Sequence, residues 1–220
     1  MLHVGIVGCS AEGAALCYRT MCSEAGAAHP EITMHTPPLA DYVACLERGD
    51  LDGVATLMLA SAEKLARAGA DFLICPDNTI HMAFDRVVNR SPLPWLHIAD
   101  VVATEAASRG YRRVGITGTR WLVESDVYPR AFDKRGIAWE RPFAADRALL
   151  ARAIMDDLVP GKPTDATALV GVIDRLKQDG CDAVVLGCTE LPLVLSDANS
   201  PIPTLDSTRL LARAALARSV

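Results

Sequence analysis

Two stretches far apart in the chain run the same way. From Leu65 to Thr79 the order is a helix-forming segment, Gly69, Asp71, an apolar run to Ile74, and then Cys75, Pro76, Asp77, Asn78 and Thr79. From Leu176 to Thr189 it is a helix-forming segment, Gly180, Asp182, an apolar run to Leu186, and then Gly187, Cys188 and Thr189, with Glu190 next. An apolar run without alternation is a strand buried on both faces, as parallel sheets require. The carboxyl ends of such strands are where open α/β sheets place ligands and chemistry. The repeat therefore predicts one strand-end element built twice, with Asp77 and Cys188 in matched positions.

The rest of the chain fits that plan. Strands are expected at Met1 to Gly8, Glu31 to Thr36, Asp71 to Cys75, Trp95 to Ile98, Val114 to Gly118, the run into Cys188, and Ile202 to Leu205. Helices are expected at Glu12 to Glu24, Asp41 to Glu47, Leu51 to Ala68, Val101 to Arg109, around Ser125 to Gly136, Arg147 to Asp157, Asp165 to Gln178 and Ser207 to Ser219. Strands alternating with helices imply βαβ units and a mostly parallel sheet. The plan repeats in the second half, which predicts an α/β fold of two lobes. Residues 1–97 with a returning helix at 207–220 form the first, and 98–206 the second.

Bulk properties exclude several function classes. A net charge of −5 without a Lys/Arg cluster argues against a nucleic-acid surface. Seven cysteines, an odd number without paired metal-ligand spacing, fit reduced thiols better than a disulfide framework or a metal site. No apolar run reaches the roughly 18 residues of a membrane helix, and the chain opens directly on a strand, so a cytoplasmic protein is expected. The first turn has glycines at 5, 8 and 13, which is not the G-x-G-x-x-G spacing of a dinucleotide site.

Two matched loops facing one bound molecule could take a proton from one face of a carbon and return one to the other. Cys188 is the acid/base candidate on one side, because a thiol titrates within reach of neutral pH. Asp77 is the candidate on the other, and the two would share one proton across a closed site.

Several segments resemble the aspartate/glutamate racemase family, amino-acid racemases that work without pyridoxal phosphate. They are Pro76-Asp77-Asn78-Thr79-Ile80-His81, Leu186-Gly187-Cys188-Thr189-Glu190-Leu191-Pro192, Gly8-Cys9-Ser10, Gly115-Ile116-Thr117-Gly118-Thr119 and Ile202-Pro203-Thr204-Leu205-Asp206. The resemblance implies two pseudo-symmetric lobes, each a mostly parallel sheet flanked by helices. It also implies a cofactor-free and metal-free cleft between them, a small carboxylate or amino acid as substrate, and commonly a homodimer. One departure is that most members carry cysteine where this chain has Asp77. A second is that Tyr42 stands where aspartate racemases have a carboxylate-binding arginine; no lysine matches their second cation, although Arg48 and Lys162 lie nearby in sequence.

The remaining candidates follow from the same loops. Ser10, Asn78, Thr79, Thr117, Thr119 and Thr189 are expected to hold the substrate carboxylate. Cys9, Tyr42, His81 and Glu190 are expected to support them, His81 with a structural role as an equal alternative and Glu190 with loop anchoring as one. Three activities are compatible with these residues. The first is racemisation or epimerisation between Cys188 and Asp77. The second is one-sided Cys188 chemistry, such as decarboxylation or cis-trans isomerisation of a small diacid. The third is carboxylate binding without turnover.

Overall fold

Strand β1 (Val4–Val7) is buried at all four positions, and its place in the middle of a sheet explains why it reads as an uninterrupted apolar run. The computed structural model describes residues 1–220 and divides into two compact units, Met1–Val101 with Thr208–Val220, and Val102–Ser207.

In the first unit β1 is followed by α1 (Ala11–Ala25), β2 (Ile32–His35), α2 (Leu39–Glu47), α3 (Leu51–Arg67), β3 (Phe72–Ile74), a 3-10 turn (Thr79–Ala83), α4 (Phe84–Val87) and β4 (Trp95–Leu96). The sheet order is β2-β1-β3-β4, every pair parallel. Helix α5 (Ile98–Ser108) carries the chain into the second unit. There follow β5 (Arg113–Gly118), α6 (Arg120–Glu124), α7 (Val127–Asp133), β6 (Ala138–Glu140), α8 (Ala144–Arg152), α9 (Ala166–Gln178), β7 (Ala183–Gly187) and β8 (Thr204–Asp206). Their order is β6-β5-β7-β8, again all parallel. The last helix, α10 (Ser207–Ser219), sets Leu211, Ala212 and Ala215 into the apolar cluster of Val4, Ile6, Phe72 and Ile74.

The repeat seen in the sequence is a repeat of structure. Gly69 and Gly180 both take positive φ, +93° and +89°, where a side chain would be strained. Each lets the chain fold back, so that Ala70 N–H reaches Leu65 O at 3.1 Å and Cys181 N–H reaches Leu176 O at 3.0 Å, closing α3 and α9 alike. Asp71 then accepts the His3 amide at 2.6 Å, and Asp182 accepts the amides of Arg112 and Arg113 at 2.8 and 3.2 Å. Both carboxylates register their strand, β3 or β7, on the start of the adjacent central strand.

Three expectations differ from what is observed. Strand β6 reads as no strand because it has three residues and no apolar run; its pairing to β5 at Arg113, Val114 and Gly115 makes it one. The helix expected around Ser125 to Gly136 is the shorter α7, and the unexpected α6 precedes it, the two kept apart because Ser125 is extended. Its hydroxyl donates to Leu122 O at 2.7 Å and accepts from Val127 N–H at 3.3 Å, serving both helix ends. The helix expected at Arg147 to Asp157 begins at Ala144 and finishes in a π-helical segment, Ala153–Leu158.

Candidate functional site

One group of candidate residues stands at the carboxyl ends of β1 and β3 in the first unit. Pairing of Ile6 with Ile74 brings the Gly8-Cys9-Ser10 turn beside the loop from Cys75 to Thr79. Ser10 is the N-cap of α1, its hydroxyl oxygen accepting the Gly13 amide at 3.1 Å. Cys9 and Ser10 are both buried.

Asp77 is half-buried and opens the turn that follows, its Oδ1 accepting the Ile80 amide at 3.2 Å. Its carbonyl accepts from His81 Nδ1 at 2.7 Å and from the Cys75 thiol at 3.7 Å. His81 Nε2 accepts the Ile98 amide at 3.4 Å, so the bond network assigns the Nδ1–H tautomer. Burial, helped by His97, holds the His81 imidazole well below its ordinary range, so it is a neutral brace between this loop and α5. Burial and then the Asp77 charge push the Cys75 thiol well up, which keeps that cysteine protonated. Asn78 and Thr79 follow Asp77 and are buried.

A second group stands at the ends of β5 and β7 in the second unit. Gly118 pairs with Gly187, and a Cβ on Gly187 would lie 2.4 Å from Thr117 O. Only glycine permits that approach. The Thr117 hydroxyl donates to Val185 O at 2.6 Å and so ties the two strands together. Thr119 caps α6 by accepting the Leu122 amide at 3.2 Å. Ser207, the first residue of α10, donates to Leu186 O at 2.8 Å and fixes the backbone just before the cysteine.

Cys188, Thr189 and Glu190 are 6, 3 and 4% exposed. The Cys188 thiol donates to Glu190 Oε2 at 2.9 Å, and the Thr189 hydroxyl donates to the same oxygen at 2.6 Å. A buried thiol is thereby paired with a carboxylate hydrogen-bond acceptor. This partnership escapes sequence reasoning, which offers Glu190 only as a supporting or anchoring residue, because a carboxylate two residues from a cysteine can point anywhere until the turn is known.

The other named residues lie as follows. Tyr42, on α2, is fully buried and its hydroxyl has no hydrogen-bond partner. Arg48 is exposed and lies 3.9 Å from Asp50, while Lys162 is exposed. No group of three or more His, Cys, Asp or Glu side chains is arranged to hold a metal ion, and no helix is long and apolar enough to cross a membrane.

Known proteins share this architecture. The structure superposes on a candidate Asp/Glu racemase from Yersinia pestis with a TM-score of 0.89 and 28% identity, covering 100% of this chain and 99% of that one. An aspartate racemase homologue from Pyrococcus horikoshii gives 0.86 and 25%, with the same coverage. In sequence, the broad specificity amino-acid racemase RacX of Bacillus subtilis is 26% identical over 170 residues, 74% of this chain and 71% of that protein. The sequence pattern of the Asp/Glu/hydantoin racemases matches residues 6–215, from β1 to α10. The chain belongs to the Asp/Glu/hydantoin racemase family.

Proposed function

We propose that the protein is a cofactor-independent amino-acid racemase or epimerase that inverts an α-carbon by proton transfer between Cys188 and Asp77. The observation that carries the reading is the buried Cys188 thiol donating to the Glu190 carboxylate. Cys188 passes its proton to Glu190, and the resulting thiolate takes the α-proton from one face of the substrate. Asp77, in its protonated form, returns a proton to the opposite face and is left as carboxylate; the reverse direction runs the same steps backwards. The α-carboxylate is held by Ser10, Asn78, Thr79 and Thr119, with Thr117 fixing the strand ends and Thr189, whose hydroxyl is committed to Glu190, offering its backbone amide. Negative charge that develops on that carboxylate as the proton leaves is stabilised by donors already in place. The broad specificity of the Bacillus subtilis relative supports an amino acid as substrate without fixing its side chain.

A second reading is favoured by one feature of the first loop. The Asp77 carboxylate accepts the Ile80 amide, a turn-forming role that needs no chemistry. If that is its whole role, Cys188 acts alone, in decarboxylation or isomerisation of a small diacid. Proton NMR in heavy water decides between the two. Uptake of deuterium at Cα with inversion, lost in Cys188→Ala, supports the racemase; uptake without inversion from either enantiomer overturns it in favour of one-sided chemistry.

A further inference from the structure

Helix α5 starts against two histidines. His97 is its N-cap: its carbonyl accepts the Val101 amide at 3.1 Å, and its Nδ1 accepts the Asp100 amide at 3.4 Å. The Ile98 amide, at the first helical position, goes instead to His81 Nε2 at 3.4 Å. Two imidazole nitrogens therefore take two of the N–H groups that a helix start leaves without an intrahelical partner. All of these residues, with Asp77, belong to the first unit.

The rings are packed as well as bonded. Phe84 stacks on His81 with centroids 5.6 Å apart and an interplanar angle of 13°, and it meets His97 edge-on at 4.6 Å and 89°. His97 and His81 themselves meet edge-on at 4.8 Å and 78°. Burial, helped by His97, keeps the His81 ring neutral, so that ring has one proton to place. With Nε2 accepting from Ile98, the proton is on Nδ1, where it donates to the Asp77 carbonyl at 2.7 Å. If the first turn of α5 frays, the Ile98 amide leaves Nε2 and the other tautomer becomes accessible. That tautomer turns a lone pair toward the Asp77 carbonyl oxygen, and the bond that holds the loop is lost.

We propose that His97 is a positioning residue for Asp77: by capping α5 it keeps the Ile98 amide on His81 Nε2, which commits the other ring nitrogen to donate to the Asp77 carbonyl. This rests on the racemase reading above, in which Asp77 transfers a proton. The role asks nothing of His97 toward substrate, since it acts through His81.

Two substitutions separate the cap from the ring. His97→Phe keeps an aromatic ring against Phe84 and His81 and removes the acceptor for Asp100, whereas His97→Asn removes the ring and supplies a side chain of the best N-capping kind. The first measurement is α-deuterium uptake from the D- and L-forms of alanine, serine, asparagine, aspartate and glutamate. For the enantiomer whose uptake Asp77→Asn stops, kcat in His97→Phe should fall about tenfold or more at unchanged KM, and His97→Asn should stay within about twofold of wild type. The opposite enantiomer should be little affected in either. Equal losses from both enantiomers, a loss carried by KM, no loss, or equal damage in His97→Asn overturns the proposal.

The second measurement is nitrogen-15 NMR of histidine-labelled protein, which reads the tautomer directly. His81 should be the Nδ1–H form in wild type and His97→Asn and should populate the Nε2–H form in His97→Phe. An Nε2–H form in the wild type overturns the proposal without any variant, as does a tautomer unchanged in His97→Phe. If the wild type takes up no deuterium from any of these amino acids, the racemase reading fails alone. The tautomer measurement then decides whether His97 holds the Asp77 loop.

Discussion

Cys188 Sγ and Glu190 Oε2 lie 2.9 Å apart, the thiol donating to the carboxylate inside a loop that is almost wholly buried. The same oxygen takes the Thr189 hydroxyl at 2.6 Å, so one carboxylate holds both residues and points their sulfur and oxygen atoms. Replacement by an amide keeps the size and removes the base. Glu190→Gln is expected to lower deuterium uptake initiated by Cys188 by about 10²–10⁴-fold, the usual contribution of a positioned acid/base group. Retention of wild-type uptake by a folded Glu190→Gln protein would show that the thiol does not need this acceptor.

Asp77→Asn separates chemistry from loop structure. The amide oxygen can still accept the Ile80 amide, and the Asp77 carbonyl that holds His81 and Cys75 is unchanged. Proton transfer on the Asp77 face should therefore stop while transfer on the Cys188 face continues. Uptake measured separately from the D- and L-enantiomers should fall by about 10²-fold or more for one and little for the other. Equal losses from both would contradict separate roles for the two residues.

His81 gives stability a pH dependence. Its folded pKa lies well below the ordinary value of 6.5 because it is buried neutral. Below about pH 6.5 the unfolded chain binds a proton that the folded one refuses, so stability falls with falling pH, by up to about 1.4 kcal/mol per pH unit, until the folded value is reached. Above that range the group has no effect. His81→Gln removes this proton, and its Tm should decline less between pH 6.5 and 5 than that of wild type, even though it begins lower for want of one hydrogen bond. Parallel declines in the two proteins would assign the acid sensitivity elsewhere, with His35, also lowered by burial, the next group to substitute.

These predictions depend on features that were legible to very different degrees. The matched strands, their glycine caps and the positions of Asp77 and Cys188 follow from local pattern, since a buried parallel strand needs an apolar run and a helix closing on it needs a residue at positive φ. Strand β6 left no such mark, because neighbour pairing rather than composition creates it. Glu190 as the thiol's acceptor was hidden for another reason: its geometry belongs to a turn whose conformation is set by β7, α10 and Gly187 together. The orphan hydroxyl of Tyr42 was hidden too, since whether a buried phenol finds a partner is decided by residues distant in sequence.

Gly187 and Gly180 offer the sharpest contrast between structural and functional glycines. Gly187 stands directly before Cys188, and an added Cβ would meet Thr117 O at 2.4 Å and Leu122 Cδ2 at 2.7 Å. The first contact is backbone, so β5 and β7 must part where the Cys188 loop begins. Overpacking of this kind costs about 1–3 kcal/mol, and the displacement carries Cys188 away from its position against Glu190. Gly180 needs its positive φ of 89° yet has open space around its Cα, with Arg113 Cδ nearest at 3.9 Å. Alanine there strains the cap of α9 by about 1 kcal/mol and leaves the far end of β7 in place. At about 2–4 °C per kcal/mol both variants should melt earlier, but only Gly187→Ala should lose deuterium uptake out of proportion to its stability. If Gly180→Ala loses activity equally at a temperature where both are folded, the strand end is not what positions Cys188.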